Sequence, residues 1–201
     1  IKSYLEYSDL EIKNELKQNP VSYLKIIASS KKNKKDRFQE IKQKLQEFKK
    51  SGVLIKNDNS IYLYEQTDKE KKYIGFICGV STKDYKNGKI KIHEKTIEER
   101  EELFEHYLKI CKIHAEPILL AYRKNKNIEH YIQEKITTKP AYNFKTDDKI
   151  THKIWVINCK EEIKTLKLVF RKIKKLYIAD GHHRMSSSTL YNDANQLNNN
   201  C

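Results

Sequence analysis

Leu176-Tyr177-Ile178-Ala179-Asp180-Gly181-His182-His183-Arg184 passes from an apolar run straight into a polar and basic cluster. Four nearly continuous apolar residues fit a short central strand buried on both faces. The following Met185-Ser186-Ser187-Ser188 then continues as a helix. Gly181 tolerates backbone angles that other residues resist, so the chain can turn sharply off the strand and come close to a ligand. The first amides of a helix lack intrahelical partners and carry partial positive charge, which makes this end receptive to phosphate. His182, His183 and Arg184 add donors, and a guanidinium can grip two phosphate oxygens at once. Asp180 at the strand end can hold Mg²⁺ or orient a hydroxyl. The structural alternative is an aspartate cap, a glycine turn and two surface histidines; five such residues adjoining at a strand end favour a site. Zinc is disfavoured, because adjacent histidines rarely face one ion together and no third ligand has suitable spacing.

A second constellation, His93-Glu94-Lys95-Thr96, has a similar setting. Lys89-Ile90-Lys91-Ile92-His93 alternates polar and apolar, the pattern of a strand with one buried face. Thr96 with Glu99 three residues on matches a capping box, opening a helix with Leu103, Phe104, Tyr107, Leu108 and Cys111 on one side. Glu94 can serve as a general base if the fold carries it to Asp180. Alone, it is equally an acidic residue favoured near a helix start.

Around these segments the pattern is mixed. Ser8-Asp9 caps a short helix that Asn19-Pro20 ends. Asp36 is the expected N-cap of a helix whose Phe38, Ile41, Leu45 and Phe48 form one stripe, with Gly52 at its left-handed end. The lysine-rich residues 31–35 before it read as a solvated loop. From Ile61 onward short β-type runs take over: Ile61–Tyr64 and Tyr73–Cys78 flank a polar turn over 67–72 as a hairpin. Pro117–Tyr122 and Lys153–Ile157, the latter with the single tryptophan Trp155, are further strands. Residues 124–144 read as mostly irregular with a short helix, and Ile163, Leu166, Phe170 and Ile173 mark another helix. The expected fold class is α+β: a helical N-terminal segment over 1–60, then a mixed sheet with flanking helices over 61–201.

Composition narrows the function classes. A hydrophobic share of 38% with 13 Tyr and 6 Phe gives ample core for a folded globule rather than a disordered chain. No run reaches membrane-spanning length, and Ile1-Lys2-Ser3-Tyr4 does not open a secretory leader, so a cytoplasmic location without a membrane partner is expected. Cys78, Cys111, Cys159 and Cys201 lie far apart, suggesting neither a zinc knuckle nor a disulfide framework. The net charge of +14 comes from 41 Lys plus Arg against 27 Asp plus Glu, spread along the chain rather than gathered into a basic stripe. That distribution argues against nucleic acid as the partner, although any cleft will attract anions. The chain opens without Met and stops at Asn198-Asn199-Asn200-Cys201, so it is expected to be a fragment.

In order along the chain stand Tyr62-Leu63-Tyr64-Glu65-Gln66, Gly75-Phe76, His93-Glu94-Lys95-Thr96, Glu116-Pro117, Trp155 and Ile178 to Arg184. This succession resembles the DUF1015 family. The Asp-Gly-His-His-Arg turn is also similar to that of the ParB and sulfiredoxin-like fold, which includes free serine kinases. The resemblance implies ParB/sulfiredoxin-like elements and a phosphotransferase acting on a small hydroxyl compound such as serine. It further implies ATP or ADP and Mg²⁺ as cofactors, with Gly181, His182, His183 and Arg184 on the nucleotide phosphates. Asp180 becomes a catalytic residue and metal ligand, and Glu94 the catalytic base. The family also has a long C-terminal portion that this chain lacks. The alternatives are a non-catalytic ParB-like module that binds nucleotide and associates with DNA, for which no helix-turn-helix is visible, and an inactive truncated remnant. Oligomeric state is left open.

Overall fold

The computed structural model describes residues 7–29 and 33–198; Lys31, Lys32, Asn199, Asn200 and Cys201 lie outside them, as does the Ile1-Lys2-Ser3-Tyr4 opening. Three helices come first: α1 (Asp9–Gln18), α2 (Leu24–Ile27) and α3 (Lys34–Lys50). Ser8 caps α1 in a reciprocal capping box with Glu11. The cap of α3 is Asn33, not Asp36: its Oδ1 accepts the Lys35 N–H at 2.8 Å, which moves the helix start three residues earlier. The stripe Phe38, Ile41, Leu45 and Phe48 is buried as its spacing requires, and Gly52 turns at φ +75°.

The hairpin β1 (Ile61–Asp68) and β2 (Lys71–Ile77) follows; its strands run further than expected, leaving a two-residue turn at Lys69-Glu70 with Lys69 at φ +53°. After α4 (Thr82–Lys86) come β3 (Ile90–Lys91) and α5 (Glu98–Cys111), then β4 (Leu119–Tyr122). The stretch read as irregular is ordered into α6 (Lys126–Ile136) and β5 (Tyr142–Lys145). Asn125 Oδ1 starts α6 by accepting the Asn127 and Ile128 N–H groups at 3.1 and 3.2 Å, and β5 pairs along β6 (Thr151–Ile157). The chain then runs through α7 (Lys160–Arg171), β7 (Leu176–Asp180) and α8 (His182–Asn198).

The class is α+β, as expected, with two sheets. The first is antiparallel, in the order β2-β1-β6-β5. Leu63, Trp155 and Ile157 from its strands bury against Leu166 of α7, with Ile132 and Ile136 of α6 beside them. The Trp155 indole N–H donates to the Thr138 carbonyl at 2.9 Å, so the ring is buried with its polar atom satisfied. The second sheet is β3-β7-β4, with β3 parallel and β4 antiparallel to β7. Its core is Ile90, Ile178 and Met185. A third core joins α2 and α3 to α5 through Ile26, Phe38, Ile41, Leu45, Phe48 and Cys111.

Two expectations about the second sheet need correction. β7 is central, but only Ile178 is buried; Tyr177 is 39% exposed and Ala179 is open, because α8 covers one face through Met185 and the other is not covered to the same extent. β3 keeps only Ile90 and Lys91, with Ile92 54% exposed. The alternating pattern ends there because the chain peels away from β7 after Lys91 and crosses to the start of α8.

Candidate functional site

Gly181 sits between β7 and α8 with φ +93°, in the left-handed region that side chains resist. A Cβ there would lie 3.1–3.2 Å from the Arg184 guanidinium, which folds back over the turn. Two constraints therefore hold this position as glycine. The first helical hydrogen bond of α8 runs from the Met185 N–H to the Gly181 carbonyl at 3.0 Å, so the amides of residues 182–184 precede the ladder. The first turn of α8 has no acidic residue, whereas α1, α3, α5, α6 and α7 each have at least one.

The segment after β3 folds onto this turn. Glu94 Oε2 lies 3.6 Å from His182 Nδ1, and the His93 ring meets the His182 ring edge-on with centroids 4.4 Å apart. His182 is 4% exposed, and its Nε2 is buried without a hydrogen-bond partner among the described residues. Next to it, His183 Nε2 accepts the Ile97 N–H at 3.1 Å. Ile97 is the N-cap of α5, so the expected Thr96–Glu99 capping box is replaced by an imidazole from another helix. A side chain with an apolar body at the cap position offers no acceptor of its own, and the ring fills that need. Because Nε2 accepts, a neutral His183 carries its proton on Nδ1.

Arg184 gathers a third segment. Its Nη1 donates to the Pro117 carbonyl at 2.6 Å and lies 3.1 Å from Glu116 Oε2, while Nη2 donates to Asp180. Its side chain is 19% exposed and also lines a cavity bounded by α2, α3, α5 and α8. Residues 93–97, 116–117 and 180–184, distant in sequence, thus meet at one place. Glu94 reaches the turn at His182, and Asp180 faces Arg184. The part of Glu116 and of the Ile97 amide was not visible from motif spacing, since both depend on long-range packing.

Fitness for a nucleotide and Mg²⁺ can be judged from the donor set. The amides at the start of α8, the Arg184 guanidinium and His183 Nδ1 are suited to phosphate oxygens. Mg²⁺ commonly takes one or two protein carboxylates together with substrate phosphates, so Asp180 is sufficient as the protein's contribution. Among the described residues no group of three His, Cys, Asp or Glu side chains is arranged to hold a metal by itself. No helix among them is long and apolar enough to cross a membrane.

Comparison with known proteins bears on the whole chain. Neither curated proteins nor solved structures gave a match. The sequence pattern of one family does match, over residues 1–200: DUF1015, described as a protein of unknown function. With the match covering nearly every residue, the chain belongs to the DUF1015 family.

Proposed function

We propose that the Asp180–Arg184 turn binds the phosphates of ATP or ADP and that the site transfers a phosphoryl group to a small hydroxyl compound, free serine being the first candidate. The observation that carries this reading is the approach of Glu94 to the turn, 3.6 Å from His182 Nδ1. It brings a carboxylate beside a helix start that is rich in cationic and imidazole groups. Phosphoryl transfer asks a protein mainly for positioning and charge stabilisation. Here the residue 182–184 amides and Arg184 hold phosphate oxygens, and Asp180 holds Mg²⁺, which neutralises phosphate charge when bound. Asp180 turning its carboxylate to the metal leaves Arg184 Nη2 for a phosphate oxygen. Glu94 takes the proton of the acceptor hydroxyl as its oxygen bonds to phosphorus, and the bond to the departing nucleotide phosphate breaks. His182 and His93 fix where Glu94 stands.

The test is product formation from serine with Mg-ATP or Mg-ADP, followed by phosphorus NMR, for the chain beside Glu94→Gln. Phosphoserine should form, and the variant should lose about 10²-fold or more in rate while keeping its nucleotide affinity. Absence of phosphoserine with both nucleotides would remove serine phosphorylation from the account. Equal rates in the two proteins would remove Glu94 as the base.

A further inference from the structure

The cavity beside Arg184 is unlike the turn itself. It measures about 490 Å³, within the range of small-molecule pockets. Ile27, Phe38, Ile41, Leu103, Phe104 and Leu108 supply apolar walls. Lys34, Arg37 and Arg184 stand at it against a single carboxylate, Glu116. The walls come from α2 and α3 on one side and α5 and α8 on the other, so the helical N-terminal segment closes a space that the second sheet and its helices leave open.

Tyr107, on the same wall, presents a specific polar handle. Its ring packs edge-on against Phe38 with centroids 5.3 Å apart, and its hydroxyl is buried with no hydrogen-bond partner among the described residues. Leaving such a group unsatisfied costs roughly 1–3 kcal/mol, so it calls for an explanation. The hydroxyl is shielded from solvent, which makes a ligand that parts the surrounding side chains its natural partner. Burial, with Cys111, Tyr23 and Glu116 nearby, holds the phenol above its ordinary pKa, so it remains a donor.

We infer that this cavity binds a small amphipathic carboxylate, its aliphatic or aryl body against the Ile27–Phe38–Leu103 walls and its anionic head toward the Tyr107 hydroxyl and the cationic rim. An apolar body accounts for the lining, and an acceptor head accounts for both the surplus of cations and the orphaned hydroxyl. A cationic amphiphile would meet Lys34, Arg37 and Arg184 unfavourably. The inference does not depend on phosphoryl transfer at the turn.

The test uses decanoate, below its micelle concentration, titrated calorimetrically into the chain, with decyltrimethylammonium as the charge-reversed control. Decanoate should bind one to one and the ammonium compound should not saturate. Tyr107→Phe removes only the hydroxyl: decanoate should bind about fivefold to tenfold more weakly, while thermal stability without ligand stays level or rises. Ala115→Trp, at an exposed position on the cavity, should block binding with the fold intact by thermal unfolding. Lack of saturable decanoate binding, equal affinity for both amphiphiles, or unchanged affinity in both variants would overturn the inference.

Discussion

Two strand-to-helix passages in this chain share a plan and differ in chemistry. β6 ends at Ile157 and α7 starts at Lys160; β7 ends at Asp180 and α8 starts at His182. At the first, Cys159 is an N-cap with ordinary extended angles, and Glu161 and Glu162 occupy the opening turn. These carboxylates answer the helix dipole from within the helix, and Glu162 is also bound by Lys135 at 2.9 Å and Tyr131 at 3.2 Å. At the second, Gly181 takes a left-handed turn and the opening residues are His-His-Arg, with no carboxylate inside the helix. The acidic partners come instead from Asp180 before it and from Glu94 and Glu116 elsewhere in the chain. A helix start whose balancing charges are borrowed can exchange them for a phosphate. One that carries its own repels an anion.

Truncating the core beneath each passage should have the largest effect. Met185 under the α8 turn and Leu166 of α7 are 1% and 2% exposed. Met185→Ala and Leu166→Ala should each cost about 2–5 kcal/mol, or ~2–4 °C of melting temperature per kcal/mol in a chain of this size. Only the first should also weaken nucleotide binding; if both do, the two passages are not functionally distinct. Gly181→Val should come next, at about 1–3 kcal/mol from the positive φ, with loss of nucleotide binding as its Cβ displaces the Arg184 guanidinium. Its counterpart Cys159→Val should change stability by no more than ~0.5 kcal/mol. A Gly181→Val protein as stable as wild type would show that the strained turn is not needed.

Alkaline titration separates the two thiols. Cys159 is exposed at the α7 cap, whereas burial, opposed by the nearby Lys42, pushes the Cys111 thiol up to about 11. A pKa raised on folding means that the contribution from Cys111 is complete below the unfolded thiol value and is lost as pH rises toward about 11. Denaturant midpoints should therefore fall over that alkaline window, and Cys111→Ala should flatten the decline relative to wild type while Cys159→Ala leaves it in place. Glu161→Gln should have the smallest effect, about 0.3–1 kcal/mol, through the α7 dipole alone, with nucleotide affinity unchanged.

What the sequence revealed and what it hid divide along the range of the interactions. The Asp180–Arg184 bend was legible because strand, glycine and helix start lie within a few residues and their preferences are local. The buried stripe of α3 was legible for the same reason. By contrast, α6 was obscured because its cap, Asn125, lies in the polar run Lys124-Asn125-Lys126-Asn127, where turn and cap chemistry look alike. β3 was overestimated because alternation describes the residues, not the partner strand, and β7 pairs with only two of them. The His183–Ile97 cap and the Glu116–Arg184 pair were hidden altogether, since no local pattern records which distant backbone amide or carboxylate a side chain will meet. The cavity is of the same kind, assembled from four helices.

The most direct test of the central claim is an amide NMR titration with Mg-ADP and Mg-ATP, comparing the two helix starts in one experiment. Saturable shifts are expected at the Gly181, His182, His183 and Arg184 amides, with Lys160 and Glu161 at the opening of α7 unmoved. Shifts at α7 alone, or saturable binding that leaves residues 180–184 unperturbed, would contradict the account.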